Sequence, residues 1–342
     1  MMRYKSTHEQ RLDRWFSDGA AARYRQAMRD WYGPPIPLIG APGELWVHKG
    51  GDITGVIAGG GFASFDDMVA EATAGKIRLW NFQKAGATGV VGVTNSLWGV
   101  GAHPAAGANA ANAPGGEAPT STTTGAFLLD NVSTDTRHIV SATVMGSVLG
   151  NTLLLYDRIF QVNTTMNSTA TESVTGVPTR YQSSVATNPD YAGGNFLFVE
   201  VGGTALAATA HNWTVCRYRN QAGTDAVTLP SLTGNASAIV RRLDHPTQQW
   251  FAPLASGDTG VRDLDQMQCS AAVATGVINF VIGHPIAWMP MPIANLGTLQ
   301  DYVRVTFALQ RIFDNAALAF LEVIKPSATA TSYNGMFTAI HG

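Results

Sequence analysis

Apolar positions in this 342-residue chain fall into many short runs rather than long helical stripes, and two of those runs resemble one another. One spans Ser141 to Phe160 and contains Leu153-Leu154-Leu155-Tyr156; the other spans Ser270 to Trp288 and contains Phe280-Val281-Ile282. Each opens Ser-Ala-x-Val, passes through small residues and an Asn, and enters an unbroken apolar stretch. A strand covered on both faces has no polar side to present, so it need not alternate. The two runs are therefore expected to be buried inner strands of a β-sandwich.

Further strands are expected on either side of them. Ala126–Leu129, Thr143–Val148, Leu153–Val162, Asn195–Val201 and Trp213–Tyr218 define a first β lobe over residues 125–235. Ile239–Leu243, Met267–Val273, Val277–Ile282, Tyr302–Phe307 and Ala319–Ile324 define a second over residues 236–342. Gly193-Gly194, Gly202-Gly203 and Asn220-Gln221-Ala222-Gly223 supply turns. Many short strands without alternating helices predict a mainly β chain with two β-sandwich or jelly-roll-like lobes, not a parallel α/β sheet.

The N-terminal part reads differently. Leu12, Trp15, Phe16, Ala20, Tyr24, Ala27, Met28 and Trp31 recur mostly at three- and four-residue steps, which predicts an α-helical arm over residues 1–33. Arg3, Lys5, Arg11, Arg14, Arg23, Arg25 and Arg29 make that arm basic, so it has three possible docks: its own domain, a neighbouring subunit or nucleic acid. Gly33-Pro34-Pro35-Ile36-Pro37 ends it. Residues 34–100 form a small α+β region with short strands at Leu45–Val47 and Asp52–Ile57. In it Ser64 caps a helix that begins at Phe65 and stops at Gly75, and Lys76–Phe82 is an alternating strand. Residues 101–124 are nearly devoid of large apolar groups and bury too little area to offset their ordering entropy alone. They are expected to be a linker or an extended arm ordered by a neighbour.

Composition sharpens the picture. Only 13% of residues are charged and the net charge is −2, against roughly 25% charged residues in an average soluble chain. So weak a charge points to a surface covered by other subunits. The N-terminus lacks the apolar core of a secretion signal, and no apolar stretch approaches the ~20 residues of a membrane span. Cys216 and Cys269 match no metal spacing and read as buried thiols in a reducing compartment.

No motif carries chemistry clearly. Gly59-Gly60-Gly61 lacks the βαβ context of a nucleotide-binding turn. Asp258-Thr259-Gly260 matches the aspartic-protease triplet once, whereas that chemistry needs two aspartates sharing a proton, so a turn at Asp258 is expected. Ser147 lies outside any nucleophile elbow and is expected to pack in the core; His245 and His284, each before a proline, are expected in turns. Asp157, Asp244, Asp258, Asp263 and Asp265 have no context that marks a glycosidase pair, and Trp213, Trp250 and Trp288 suit either a core or sugar stacking. No catalytic, cofactor-binding or metal-ligating residue is assigned.

Three stretches, Gly176-Val177-Pro178-Thr179-Arg180-Tyr181-Gln182-Ser183, Gly193–Glu200 and Gly276–Pro285, resemble segments of structural proteins of tailed bacteriophages, over roughly residues 120–330. The resemblance implies a non-enzymatic virion subunit, assembled in the host bacterial cytoplasm. It implies copies of itself, with a trimer as one option, and other virion proteins as partners. Among such roles a capsid-associated decoration or cement subunit is expected ahead of a major capsid subunit or tail component, because no long spine helix follows residue 75. The alternative of another class is a polysaccharide-binding or polysaccharide-degrading phage protein.

Overall fold

The computed structural model describes residues 47–49, 52–54, 62, 64–87, 89–132, 135–166, 168–304 and 309–342. The basic helical arm expected over residues 1–33 and the triple glycine at 59–61 lie outside these. The chain divides into two compact units, one of residues up to Ala58 with Phe62–Asp67, the other of Met68–Gly342 with Gly59–Gly61.

The described part of the first unit holds an antiparallel pair, β1 (Val47–Lys49) and β2 (Asp52–Thr54), with Val47 opposite Thr54. Helix α1 (Phe65–Thr73) starts where capping chemistry predicts. Ser64 Oγ accepts the Asp67 amide at 3.0 Å, and Asp66 and Asp67 face the positive end of the helix dipole. Gly75, at φ +85°, ends it as expected.

The second unit is almost entirely β. Its strands are β3 (Ile77–Ala85), β4 (Asn95–Ser96), β5 (Ala102–His103), β6 (Arg137–Gly146), β7 (Asn151–Thr165), β8 (Glu172–Ser173), β9 (Phe196–Val201) and β10 (Asn212–Asn220). They continue as β11 (Val227–Thr228), β12 (Leu232–Thr233), β13 (Val261–Cys269), β14 (Val277–Met291), β15 (Thr298–Asp301), β16 (Arg311–Ile312), β17 (Leu318–Val323) and β18 (Ser332–His341). A central sheet runs β4-β17-β7-β14-β9. A second runs β15-β6-β18-β3-β5 with β16 also on β6, and a third runs β11-β10-β13-β8 with β12 also on β10.

The two resembling apolar runs overlap β7 and β14, which pair antiparallel from Asn151 opposite Met291 to Thr165 opposite Val277. Each carries one extra residue, Ile159 in β7 and Ile286 in β14, and such bulges re-aim the side chains that follow. Before the β7 bulge, Leu153 and Leu155 join Met289 and Met291 in a core with Val144, Phe337 and Ala339 of the second sheet. Beyond it, Phe160 and Val162 join Ile278, Phe280 and Ile282 in a core with Trp213, Cys216, Leu264 and Met267 of the third sheet. Leu154, Tyr156 and Val281 build a third core with Phe198, Leu321 and Trp98. Unbroken apolar sequence is thus needed because both faces of β7 and β14 are covered.

All three large sheets combine strands from residues 125–235 with strands from residues 236–342: β7 pairs with β14, β6 with β18, and β10 with β13. A cut at residue 235 therefore does not separate the sheets. Two expected strands are absent: Leu128 sits in irregular chain and is exposed, and Arg241 takes a φ of +79° in a turn. Tyr302–Arg304 also form a turn. Conversely, β18 is central in the second sheet although Asn334-Gly335 interrupts its apolar pattern. A Cβ on Gly335 would lie 2.4 Å from the Thr143 carbonyl oxygen and 2.6 Å from the Phe82 ring, so only glycine lets those neighbours close in.

Residues 101–124 are held by hydrogen bonds to their own chain. Ala113 donates to the Asn163 carbonyl at 3.0 Å, Glu117 and Gln161 exchange backbone hydrogen bonds at 2.8 and 2.9 Å, and Gly107 donates to Trp98 at 2.9 Å. Their small side chains permit this: a Cβ on Gly107 would sit 2.2 Å from the Trp98 indole. The entropy cost is offset by backbone hydrogen bonds and by cover over β7, with only small apolar side chains, such as the buried Ala110 and the partly buried Ala113, contributed by the segment itself.

Candidate functional site

Charged residues inside apolar strand runs are costly unless paired, and this chain has several. Asp157 and Arg158 are consecutive in β7 and fully buried on opposite faces. Arg180 clasps Asp157 through Nε and Nη2 at 2.8 and 2.7 Å, and the Ala317 amide donates to the same carboxylate at 2.9 Å. Burial pushes the Asp157 carboxyl up and Arg180 pulls it back. Arg158 donates to Glu200 of β9 at 2.5 and 3.3 Å and to Gln161 at 2.5 Å, with its guanidinium 4.9 Å from the Trp98 ring centre. Burial would lower the Arg158 pKa, but Glu200 and Tyr156 outweigh it and raise it. Lys84 of β3 is buried without a carboxylate partner among the described residues, donating to the carbonyls of Val100 and Pro104 at 2.8 and 2.6 Å, and burial lowers its pKa to about 8. Glu322, Lys325 and Asn95 form a further buried group.

The residues singled out from sequence are mostly committed to such pairs. Asp258 sits in a turn as expected, its amide donating to Ala255. Its carboxylate accepts Tyr218 Oη at 2.7 Å and Asn220 Nδ2 at 2.8 Å. Asp244 accepts His211 Nε2 at 3.0 Å, Trp213 Nε1 at 2.8 Å and the Asn235 amide at 2.6 Å. Burial pulls the His211 pKa down, yet Asp244 and the Thr209 carbonyl outweigh it and leave it raised. With His211 Nδ1 3.0 Å from that carbonyl, both ring nitrogens are engaged, so no lone pair is left for a general base. His245 Nε2 accepts the Val199 amide at 2.9 Å.

His284 is not in a turn: it lies in β14 between the two bulges, stacks on Tyr181 with ring centres 3.8 Å apart, and meets Asn195 Oδ1 at 2.8 Å. Local dipeptides missed this because the proline after it is tolerated beside a bulge. Ser147 is exposed rather than packed in the core, and its Oγ accepts the Ser332 amide at 2.8 Å, joining the ends of β6 and β18. Asp263 is buried against Arg219 at 3.5 Å, and burial raises its pKa. Asp265 accepts the Ala226 amide at 3.1 Å. Cys216 and Cys269 are free and buried; burial pushes the Cys216 thiol up to about 12.

Among the described residues, two open surfaces bear on function. Trp213 belongs to the core, whereas Trp288 is 44% exposed and lies 6.0 Å, centre to centre, from Trp250, which contacts Phe251 at 4.6 Å. The second is the outward face of the second sheet. Across it, Leu299, Thr143, Met336 and Asn81 form one row, Ser141, Thr338 and Leu79 a second, and Met145, Asn334 and Gln83 a third. None of these ten side chains is charged; Asp301 stands at the β15 end of the second row.

Sequence reasoning missed Glu200, Arg180, His211, Glu322 and Lys325. A lone charge inside an apolar run, as in Phe196-Leu197-Phe198-Val199-Glu200-Val201, was the available signal. Among the described residues no group of three or more His, Cys, Asp or Glu could hold a metal ion, and no helix is long and apolar enough to cross a membrane. No family model, curated protein or solved structure matches the chain.

Proposed function

We propose that the protein is a structural subunit of a tailed-bacteriophage virion, specifically a capsid-associated decoration or cement subunit that assembles with copies of itself and with other virion proteins. The uncharged outward face of the second sheet carries this reading. Its apolar members stand well out, with Leu299 66%, Leu79 52% and Met336 40% exposed. Subunit interfaces are depleted of charge at their centres, and contiguous apolar exposure marks contact surfaces. The commitment of Asp157, Asp244 and Asp258 to hydrogen bonds within the fold supports a structural role over chemistry. Sandwich lobes and a basic N-terminal helical arm belong to the same reading, as do the shell and tail roles, which would use the same face.

Peptide mapping of purified virions should find the chain. Light scattering should show a defined oligomer, with a trimer as one option, that falls to monomer in Thr143→Lys/Met336→Lys with far-UV circular dichroism unchanged. A monomeric wild type at micromolar concentration, together with absence from virions, would sink the proposal. The Trp250–Trp288 pair favours a second reading, a polysaccharide-binding surface, since tryptophan faces stack on apolar faces of sugars. Glycan binding that disappears in Trp288→Ala would select it.

A further inference from the structure

Glu322 of β17 and Asn95 of β4 are directly opposed in register, so their side chains leave the central sheet on the same face. Lys325 lies three residues beyond Glu322 and in a regular strand would point to the other face. Ile324, at φ +42°, turns the chain, and the Lys325 amide then donates to the Val93 carbonyl at 2.8 Å. The amine is thereby brought back to Glu322. Asn95, Glu322, Lys325 and Tyr333 are all fully buried.

Glu322 is the hub of this group. Its Oε2 accepts Asn95 Nδ2 at 2.8 Å, and its Oε1 accepts Lys325 Nζ at 3.0 Å and Tyr333 Oη at 2.5 Å. The amine also donates to the carbonyls of Ala87 at 2.8 Å and Thr329 at 3.0 Å. The chain at Gly86 closes over the carboxylate so tightly that a Cβ there would lie 2.5 Å from Oε1. Asn95 Oδ1 is buried with no hydrogen-bond partner among the described residues. A buried amide carbonyl normally finds a donor, so an orphaned one beside an amine and a carboxyl group calls for a chemical explanation.

We propose that Lys325 and Asn95 join in an intramolecular isopeptide bond, with Glu322 as the proton carrier. An ammonium proton passes from Lys325 Nζ to Glu322, which leaves a neutral amine as the nucleophile and a neutral acid as the proton donor. Nζ releases the Ala87 and Thr329 carbonyls, moves along the shared carboxyl group and attacks Asn95 Cγ. The Nζ–Cγ bond forms while the acid donates to the Asn95 amide. The acid's proton ends on the departing nitrogen, the second Nζ proton passes to Glu322, the Cγ–Nδ2 bond breaks, and ammonia leaves. An ammonium, a carboxylate and a carboxamide thus become a secondary amide, a carboxylic acid and ammonia, with no change in total charge and no oxidant. Tyr333 holds the carboxyl group in place. The bond would close β5 through β17 inside one covalent loop, and it does not depend on the virion reading.

The test is mass spectrometry of the purified full chain. The intact mass should fall about 17 Da, one ammonia, below that of the sequence, and digestion should yield a branched peptide joining Asn95 to Lys325. Glu322→Gln keeps both partners and should lose the branched peptide, as should Lys325→Arg. Because either variant could fail to fold, the wild-type digest decides by itself. A wild type at full mass overturns the proposal and leaves a buried ion pair only. So does a mass deficit without the branched peptide, since a succinimide at Asn334-Gly335 would lower the mass equally. A branched peptide that persists in Glu322→Gln removes Glu322 from the mechanism.

Discussion

Replacing Arg180 by Met keeps much of the side-chain volume and removes the charge that faces Asp157. In the folded chain Arg180 forms a two-pronged clasp on that carboxylate and also reaches the carbonyls of Pro119 and Arg158 at 2.9 and 3.3 Å. Without it, the Ala317 amide at 2.9 Å is left to face a carboxylate of 0% exposure. Breaking a buried pair from one side costs about 3–5 kcal/mol, because the remaining charge is uncompensated. That is a large share of a total stability of roughly 5–15 kcal/mol. At about 2–4 °C per kcal/mol for a domain of this size, the melting temperature should fall by roughly 6–20 °C.

The sign of the pH dependence follows from the same geometry. Burial pushes the Asp157 carboxyl up, and Arg180 is the main force against it. In Arg180→Met the upward push dominates, so the folded variant takes up a proton at higher pH than wild type, and its deficit should shrink as pH falls from about 8 to about 5. Urea unfolding followed by tryptophan fluorescence and far-UV circular dichroism measures both effects. Arg180→Met combined with Asp157→Leu removes both charges and should recover much of the loss. A deficit below about 1 kcal/mol, the worth of an exposed pair, would refute the reasoning, as would a double variant no more stable than the single.

Two further outcomes are expected. The His211 pKa is raised in the fold above its ordinary 6.5, so its contribution is fully present below that value and is lost as pH rises through the folded value. His138, His245 and His284 are lowered to about 4 by burial and titrate in the opposite sense. The stability difference between wild type and His211→Gln is therefore the quantity to follow, and it should narrow at alkaline pH; a difference that widens would contradict the His211–Asp244 pairing. Gly176→Ala would place a Cβ 1.8 Å from the Gly115 carbonyl oxygen, backbone that can yield only by shifting. It should cost about 1–3 kcal/mol and speed hydrogen exchange of the Ala113 and Glu117 amides; unchanged exchange would show that residues 101–124 are not docked as described.

What the sequence determined by itself was the local chemistry. The Ser64 cap, the stop at Gly75 and the unbroken runs of β7 and β14 depend on neighbours a few residues apart, and the mainly β character follows from their sum. The tertiary structure decided everything that spans the chain. It paired the two runs with each other, placed β18 between β6 and β3, laid residues 101–124 along β7, and brought Asn95 to Glu322 and Lys325. The candidate sites divide in the same way. Asp258 was legible as a turn because a turn is local, whereas the partners of Asp157, Asp244 and His284 come from distant strands. A lone charge in an apolar run shows that a partner must exist, because burying it alone is too costly, but the identity of that partner is set by strand order and register.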